Sequence, residues 1–143
     1  MKHSIMIALF LLISCHSVNL KEDLIDAKIN CYLKGKDVFI TFINNNNAPL
    51  LIKRPCMANA YVDIRHNDKS LPIKIRIKVD PNCMLPAYQL KAKDSVTFKY
   101  NYKIDDLYDL EKNNKYDMFI EYYIYENNRL KQKIFSDKYS FVN

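Results

Sequence analysis

Tryptophan is absent from this sequence, glycine occurs once, at Gly35, and histidine three times. With one glycine beside eleven tyrosines and seven phenylalanines, the composition favours strands, because aromatic and β-branched side chains suit a pleated, half-buried surface. His3 and His16 fall in or beside an N-terminal apolar segment, which leaves His66 as the one histidine of the remaining chain. A single histidine cannot build a His-rich zinc site, and any Ser-His-Asp or Cys-His centre would have to form around it. Its place at the end of an alternating run, beside a polar turn, reads as an exposed strand-end side chain. No stretch reads as a long helix, and no repeat or low-complexity linker divides the chain. The apolar run from Ile5 to Ile13 falls well short of the roughly 20 residues that a permanent membrane helix needs.

What that run does resemble is a secretory signal, with Met1-Lys2-His3 as its positive start and Ser14 and Ser17 as small residues behind it. Leu12-Ile13-Ser14-Cys15 resembles the bacterial lipobox, in which a cysteine directly after a small residue receives diacylglycerol on its thiol and becomes the new N-terminus. Two endings stand open: lipidation at Cys15, or ordinary cleavage after Ser17 and free secretion. The favoured division is a lipoprotein-type signal over 1–14, a tether over 15–22 and one domain over 23–143. Acyl chains on Cys15 would hold that domain on a membrane. His16 is not the Asp that retains lipoproteins in the inner membrane, so the expected place is the outer membrane of the cell envelope, or the periplasm.

The length, 143 residues, suits one domain with one core, and 49% apolar residues exclude a disordered chain. The formal charge is +6, from 22 basic and 16 acidic side chains that are scattered rather than clustered, so no nucleic-acid partner is expected. Beyond Cys15 the cysteines are Cys31, Cys56 and Cys83. Cys31 falls in the alternating run Ile25, Ala27, Ile29, Cys31, Leu33 and reads as a small buried hydrophobe. Cys56 and Cys83 each lie beside a proline in an irregular stretch, where a staple is more useful, so the expected disulfide is Cys56 to Cys83.

Period-two alternation gives the strands. They are Leu24 to Leu33, Val38 to Ile43, Leu50 to Lys53, Tyr61 to His66, Ile73 to Val79, Val96 to Tyr102, Tyr116 to Tyr125, Leu130 to Ile134 and Lys138 to Val142, with a helical turn over Asp105 to Leu110. The turn Asn44 to Pro49 is built from residues that tolerate left-handed backbone. Pro81 and Pro86 would each remove a ladder donor, so Pro81 to Gln89 is expected to be a loop crossing between sheets. Short strands at this spacing point to an all-β, immunoglobulin-like antiparallel β-sandwich of about seven to nine strands.

Several of these turns and aromatics, namely Asn47-Ala48-Pro49-Leu50, Lys69-Ser70-Leu71-Pro72, Val79-Asp80-Pro81, Ala87-Tyr88-Gln89-Leu90 with Ser95-Val96, and Leu107-Tyr108-Asp109-Leu110 with Tyr116, form a series. It resembles the Ig-like domain that precedes the catalytic domain of deuterolysin-type metalloproteases, over about Val38 to Tyr122. The chain departs from that pattern at Ala92-Lys93-Asp94-Ser95, where the family has Pro-Gly before the Ser. It departs again at Asn114, where the family has Gly. It also lacks the His-Glu-x-x-His zinc site, so the resemblance implies a stand-alone accessory domain without the protease. A looser likeness is to bacterial proteinase-inhibitor sandwiches of the BsuPI type.

No catalytic residue, metal site or cofactor is expected. Asp105, Asp106, Asp109 and Glu111 form the densest acidic cluster, but their spacing fits no EF-hand and capping of a helical turn explains Asp105 and Asp109. Lys74, Arg76 and Lys78 line one strand face, read as a solvated outer surface near Arg54 and Arg65. The candidate contact surface is the strand Tyr116 to Tyr125. Tyr116, Met118, Ile120, Tyr122 and Ile124 form one face, while Phe119, Tyr123 and Tyr125 put rings on the other beside Asp117 and Glu121. One face must be core, so Phe119, Tyr123 and Tyr125 are the expected partner-binding residues of a non-catalytic module. The alternative is an inhibitor or immunity-type protein that plugs a partner enzyme with the loop Pro81 to Leu90.

Overall fold

The computed structural model describes residues 24–74, 81–127 and 129–143. The expected signal, Cys15 and the tether lie outside the described residues, as does most of the expected strand Ile73 to Val79. Among the described residues the chain forms ten strands, all paired antiparallel, one 3-10 turn and one α-helical turn. A hairpin comes first, β1 (Ala27–Lys34) and β2 (Asp37–Asn44), turned at Gly35 with φ +62°. Then come β3 (Leu50–Lys53), β4 (Ala60–His66) and the two-residue β5 (Lys69–Ser70). A 3-10 turn, Pro81–Met84, leads to β6 (Ala87–Leu90), β7 (Ser95–Lys103) and α1 (Ile104–Leu107), a single turn. The chain closes with β8 (Lys115–Glu126), β9 (Arg129–Phe135) and β10 (Tyr139–Val142).

Two main sheets result. β1, β2 and β7 form one, in that order; the other is built on β8, with β4 and β5 on one side. The opposite edge of β8 is shared: β10 pairs with Lys115 to Met118 and β9 with Glu121 to Glu126. β3 and β6 make a separate two-stranded sheet. Alternation dictates the packing. Val38, Ile40 and Phe42 on β2 point into the space where Met118, Ile120 and Tyr122 arrive from β8, all fully buried. The Phe42 and Tyr122 rings meet edge to face at 4.6 Å between the sheets. Each such side chain contributes roughly 1.5–3 kcal/mol by leaving water, which makes the fold an all-β sandwich over one apolar cluster.

Differences from the sequence expectations have local causes. Ala87–Leu90 is a strand paired with β3 rather than part of a crossing loop, because Pro81 and Pro86 both precede it and remove no donor from its ladder. None of Asn44 to Asn47 adopts a positive φ. Asn44 is instead buried, its amide donating toward the carbonyls of Ala48, Leu90 and Lys91 while its oxygen accepts the Asn46 N–H at 3.0 Å. Asn113, rather than Asn114, takes the left-handed position before β8. The helical turn ends at Leu107 and is capped by Asp106, whose carboxylate accepts the Lys103 N–H at 3.0 Å. Cys56 and Cys83 form the expected disulfide, Cα atoms 6.1 Å apart, and Cys31 is a buried free thiol beside the Ser136 hydroxyl at 3.4 Å.

Candidate functional site

The strand β8 carries the site. Its inner set, Tyr116, Met118, Ile120, Tyr122 and Ile124, is core; its outer set, Asp117, Phe119, Glu121, Tyr123 and Tyr125, is half-buried. Pairing then brings outward residues of the neighbouring strands beside them. Asp63 of β4 lies opposite Phe119, Tyr61 opposite Glu121 and Arg65 opposite Asp117. From the other edge β9 places Phe135 opposite Glu121 and Lys133 opposite Tyr123. Phe119, Tyr123 and Tyr125 therefore share one face, as the alternation required, and Phe135 joins them with 65% of its surface exposed.

Cations cover the rings that the sequence left bare. The Arg65 guanidinium sits 4.6 Å from the centre of Phe119 while its Nε donates to Asp63 at 2.7 Å. Lys133 lies 4.9 Å from the Tyr123 ring centre and 2.8 Å from the Glu121 carboxylate. Long basic side chains lay their stems and charges over aromatic faces in this way, each contact worth about 0.5–1 kcal/mol where exposed. Tyr61, Asp63, Arg65, Phe119, Glu121 and Phe135 line a shallow depression of about 110 Å³. The second oxygen of Asp63 is buried there and has no hydrogen-bond partner among the described residues.

The ionisable groups of the face are tuned by their neighbours. The Lys133 hydrogen bond holds the Glu121 carboxyl below its ordinary range, and the Ser140 hydroxyl does the same for Asp117. Burial, then the hydrogen bond with Glu121, pushes the Tyr123 phenol up. Every shift favours the charge state that each group already holds at neutral pH. The arrangement offers aromatic area and fixed charge pairs, which suits recognition.

The other candidate residues are engaged elsewhere. His66 ends β4, with its Nδ1 2.9 Å from the Lys115 carbonyl and its ring packed near Tyr116. In the acidic cluster Asp105 pairs with Lys36 at 3.2 Å and Asp109 with Lys74 at 2.9 Å, while Glu111 accepts from the Asn114 amide. Among the described residues no three His, Cys, Asp or Glu side chains gather as metal ligands, and no helix is long and apolar enough to cross a membrane. Arg76 and Lys78 lie outside the described residues. Sequence reasoning missed Tyr61, Asp63, Lys133 and Phe135 as neighbours of the β8 rings. Alternation within β4 and β9 put each on an outward face, but only strand register decides what lies opposite. No protein-family model matches the chain, and no curated protein matches it.

Proposed function

We propose that the protein is an exported, membrane-anchored binding module, without catalysis of its own, that docks a protein partner on the outer aromatic face of the five-stranded sheet. The exposure of Phe135 amid Phe119 and Tyr61 carries this reading, because a solvated sheet face is expected to hold polar side chains there. Aromatic anchors flanked by charge pairs are the composition of binding hot spots, where Tyr and Arg are enriched. Export and anchoring rest on the signal-like start and Cys15. The resemblance to deuterolysin accessory domains supports a module that serves another protein.

The inhibitor reading has one observation in its favour. The Cys56 to Cys83 bridge and the Arg54 N–H to Met84 carbonyl bond pin the Pro81–Met84 turn, and Leu85 beside it is 58% exposed. The pairing of β6 with β3 leaves only the first half of the expected plugging loop irregular.

One experiment separates the two. Full-length protein is cross-linked in the cells that make it, alongside F135S and L85S variants, with a fatty-acid analogue present. The proposal expects label on the protein, a partner band lost by at least about tenfold in F135S and retained in L85S, and little change in melting temperature. Loss in L85S alone points to the pinned turn, and absence of label removes the anchor.

A further inference from the structure

We infer that the opposite side of the sandwich, the outer face of the three-stranded sheet, is a docking surface for an anionic lipid bilayer. This rests on the proposed anchoring and adds an orientation to it. Register places the outward residues in rows: Lys34, Asp37 and Lys103 across one end, then Tyr32, Phe39 and Lys99, then Asn30, Thr41 and Thr97, then Lys28, Ile43 and Ser95. Four lysines thus face outward against one acid. Asp37 lies 2.7 Å from Lys99, so that pair is neutral, and Lys28, Lys34 and Lys103 have no ion-pair partner among the described residues.

The partner-facing sheet differs. Its basic side chains are mostly paired, Arg65 with Asp63, Lys133 with Glu121, Lys138 with Asp117 and Lys131 with Glu126, so less of the basic excess is free there. Because the sheets pack inner face to inner face, the two outer faces point in opposite directions. The rings on the cationic side are Tyr32, 39% exposed, and Phe39, stacked on each other at 5.2 Å. A tyrosine with an apolar body and a polar tip suits the headgroup level of a bilayer, and lysines reach past short Thr, Ser and Asn side chains to a flat anionic surface. Each lysine near such a surface is worth about fivefold in partition. The face begins with β1, the first strand among the described residues, so an acyl anchor at Cys15 delivers it to the membrane. Acyl chains supply attachment; the lysines then lay the sandwich down with Phe135 turned to the aqueous side.

The test uses the chain from residue 15 onward with Cys15→Ser, which removes the apolar signal and any acyl contribution, and measures sedimentation with vesicles of phosphatidylcholine alone or with phosphatidylglycerol. One triple variant is K28Q/K34Q/K103Q. A charge-matched control, K69Q/K91Q/K112Q, neutralises exposed lysines off this face. Binding should require phosphatidylglycerol, fall at least about tenfold in the first triple, and stay within about twofold in the control and in K28R/K34R/K103R. Equal losses in both triples, no preference for the anionic vesicles, or tighter lysine-dependent binding of an oligonucleotide than of vesicles would each overturn the inference. The F135S chain should bind these vesicles as the parent does, so failure of the partner face and failure of the membrane face are read separately.

Discussion

Asn67, Asp68, Lys93, Asn113 and Asn127 hold positive φ values between 48° and 65°, a region where an L side chain crowds its own backbone at a cost of roughly 1–2 kcal/mol. A chain with one glycine must turn with other residues, and asparagine supplies three of these five positions. Asn67 and Asp68 form the two-residue link between β4 and β5, for which Asn-Gly is the favoured pair. D68G is therefore expected to stabilise the protein by about 0.5–1 kcal/mol, the relief of strain exceeding the added freedom of the unfolded chain. Thermal unfolding checks this; a lower melting temperature would show that the Asp68 carboxylate holds the turn. Asparagine also serves a second purpose that composition conceals. Asn44 and Asn59 are buried, and Asn59 accepts the Cys56 N–H at 2.9 Å while its amide reaches the Arg54 carbonyl at 3.2 Å.

Tyrosine hydroxyls complete strands whose backbone lacks a neighbour. Along β4, on the edge away from β8, the Tyr100 hydroxyl donates to the Ala60 carbonyl at 2.9 Å, and the Tyr108 hydroxyl donates to the Val62 carbonyl. Tyr122 works likewise at β3, accepting the Lys53 N–H at 3.1 Å and donating to the Lys53 carbonyl at 2.8 Å. Burial pushes the Tyr122 phenol up to about 12 and those of Tyr100 and Tyr108 higher still, so all three remain protonated donors. Y108F keeps the ring and leaves the Val62 carbonyl without this donor, and should lower stability by about 1–3 kcal/mol. Chemical denaturation with an unchanged slope would support that assignment; a loss below about 0.3 kcal/mol would mean that water replaces the hydroxyl. Alternation made the Tyr100 position legible as inward, but nothing in the sequence paired its hydroxyl with β4.

At the scale of the whole molecule, the disulfide joins the turn after β3 to the turn before β6 and closes 27 residues of sequence that include β4 and β5. Closing a loop of this length restricts the unfolded chain by about 3.5 kcal/mol. C56A/C83A should lose about that amount in equilibrium unfolding, with a reduced parent protein matching it. A reduced parent that keeps its full stability would show that packing around the β3–β6 sheet suffices alone. Cys31, shielded in the core with its thiol pushed up by burial, is not positioned to rescue the pair.

The sequence by itself pointed to the inward face of most of the described strands, to an all-β fold and to the Cys56–Cys83 pair, because side-chain alternation and proline-bound cysteines are local signals. It also put Phe119, Tyr123 and Tyr125 on one face of one strand. Only the tertiary structure decided what stands beside them. Register across β4, β8 and β9 brought Arg65 over Phe119, Lys133 over Tyr123 and Phe135 into the same surface. Register likewise gathered scattered lysines from β1 and β7 onto the other face. Strand pairing joins residues far apart in the chain, and the energy that selects one register over another comes from the whole core rather than from any segment.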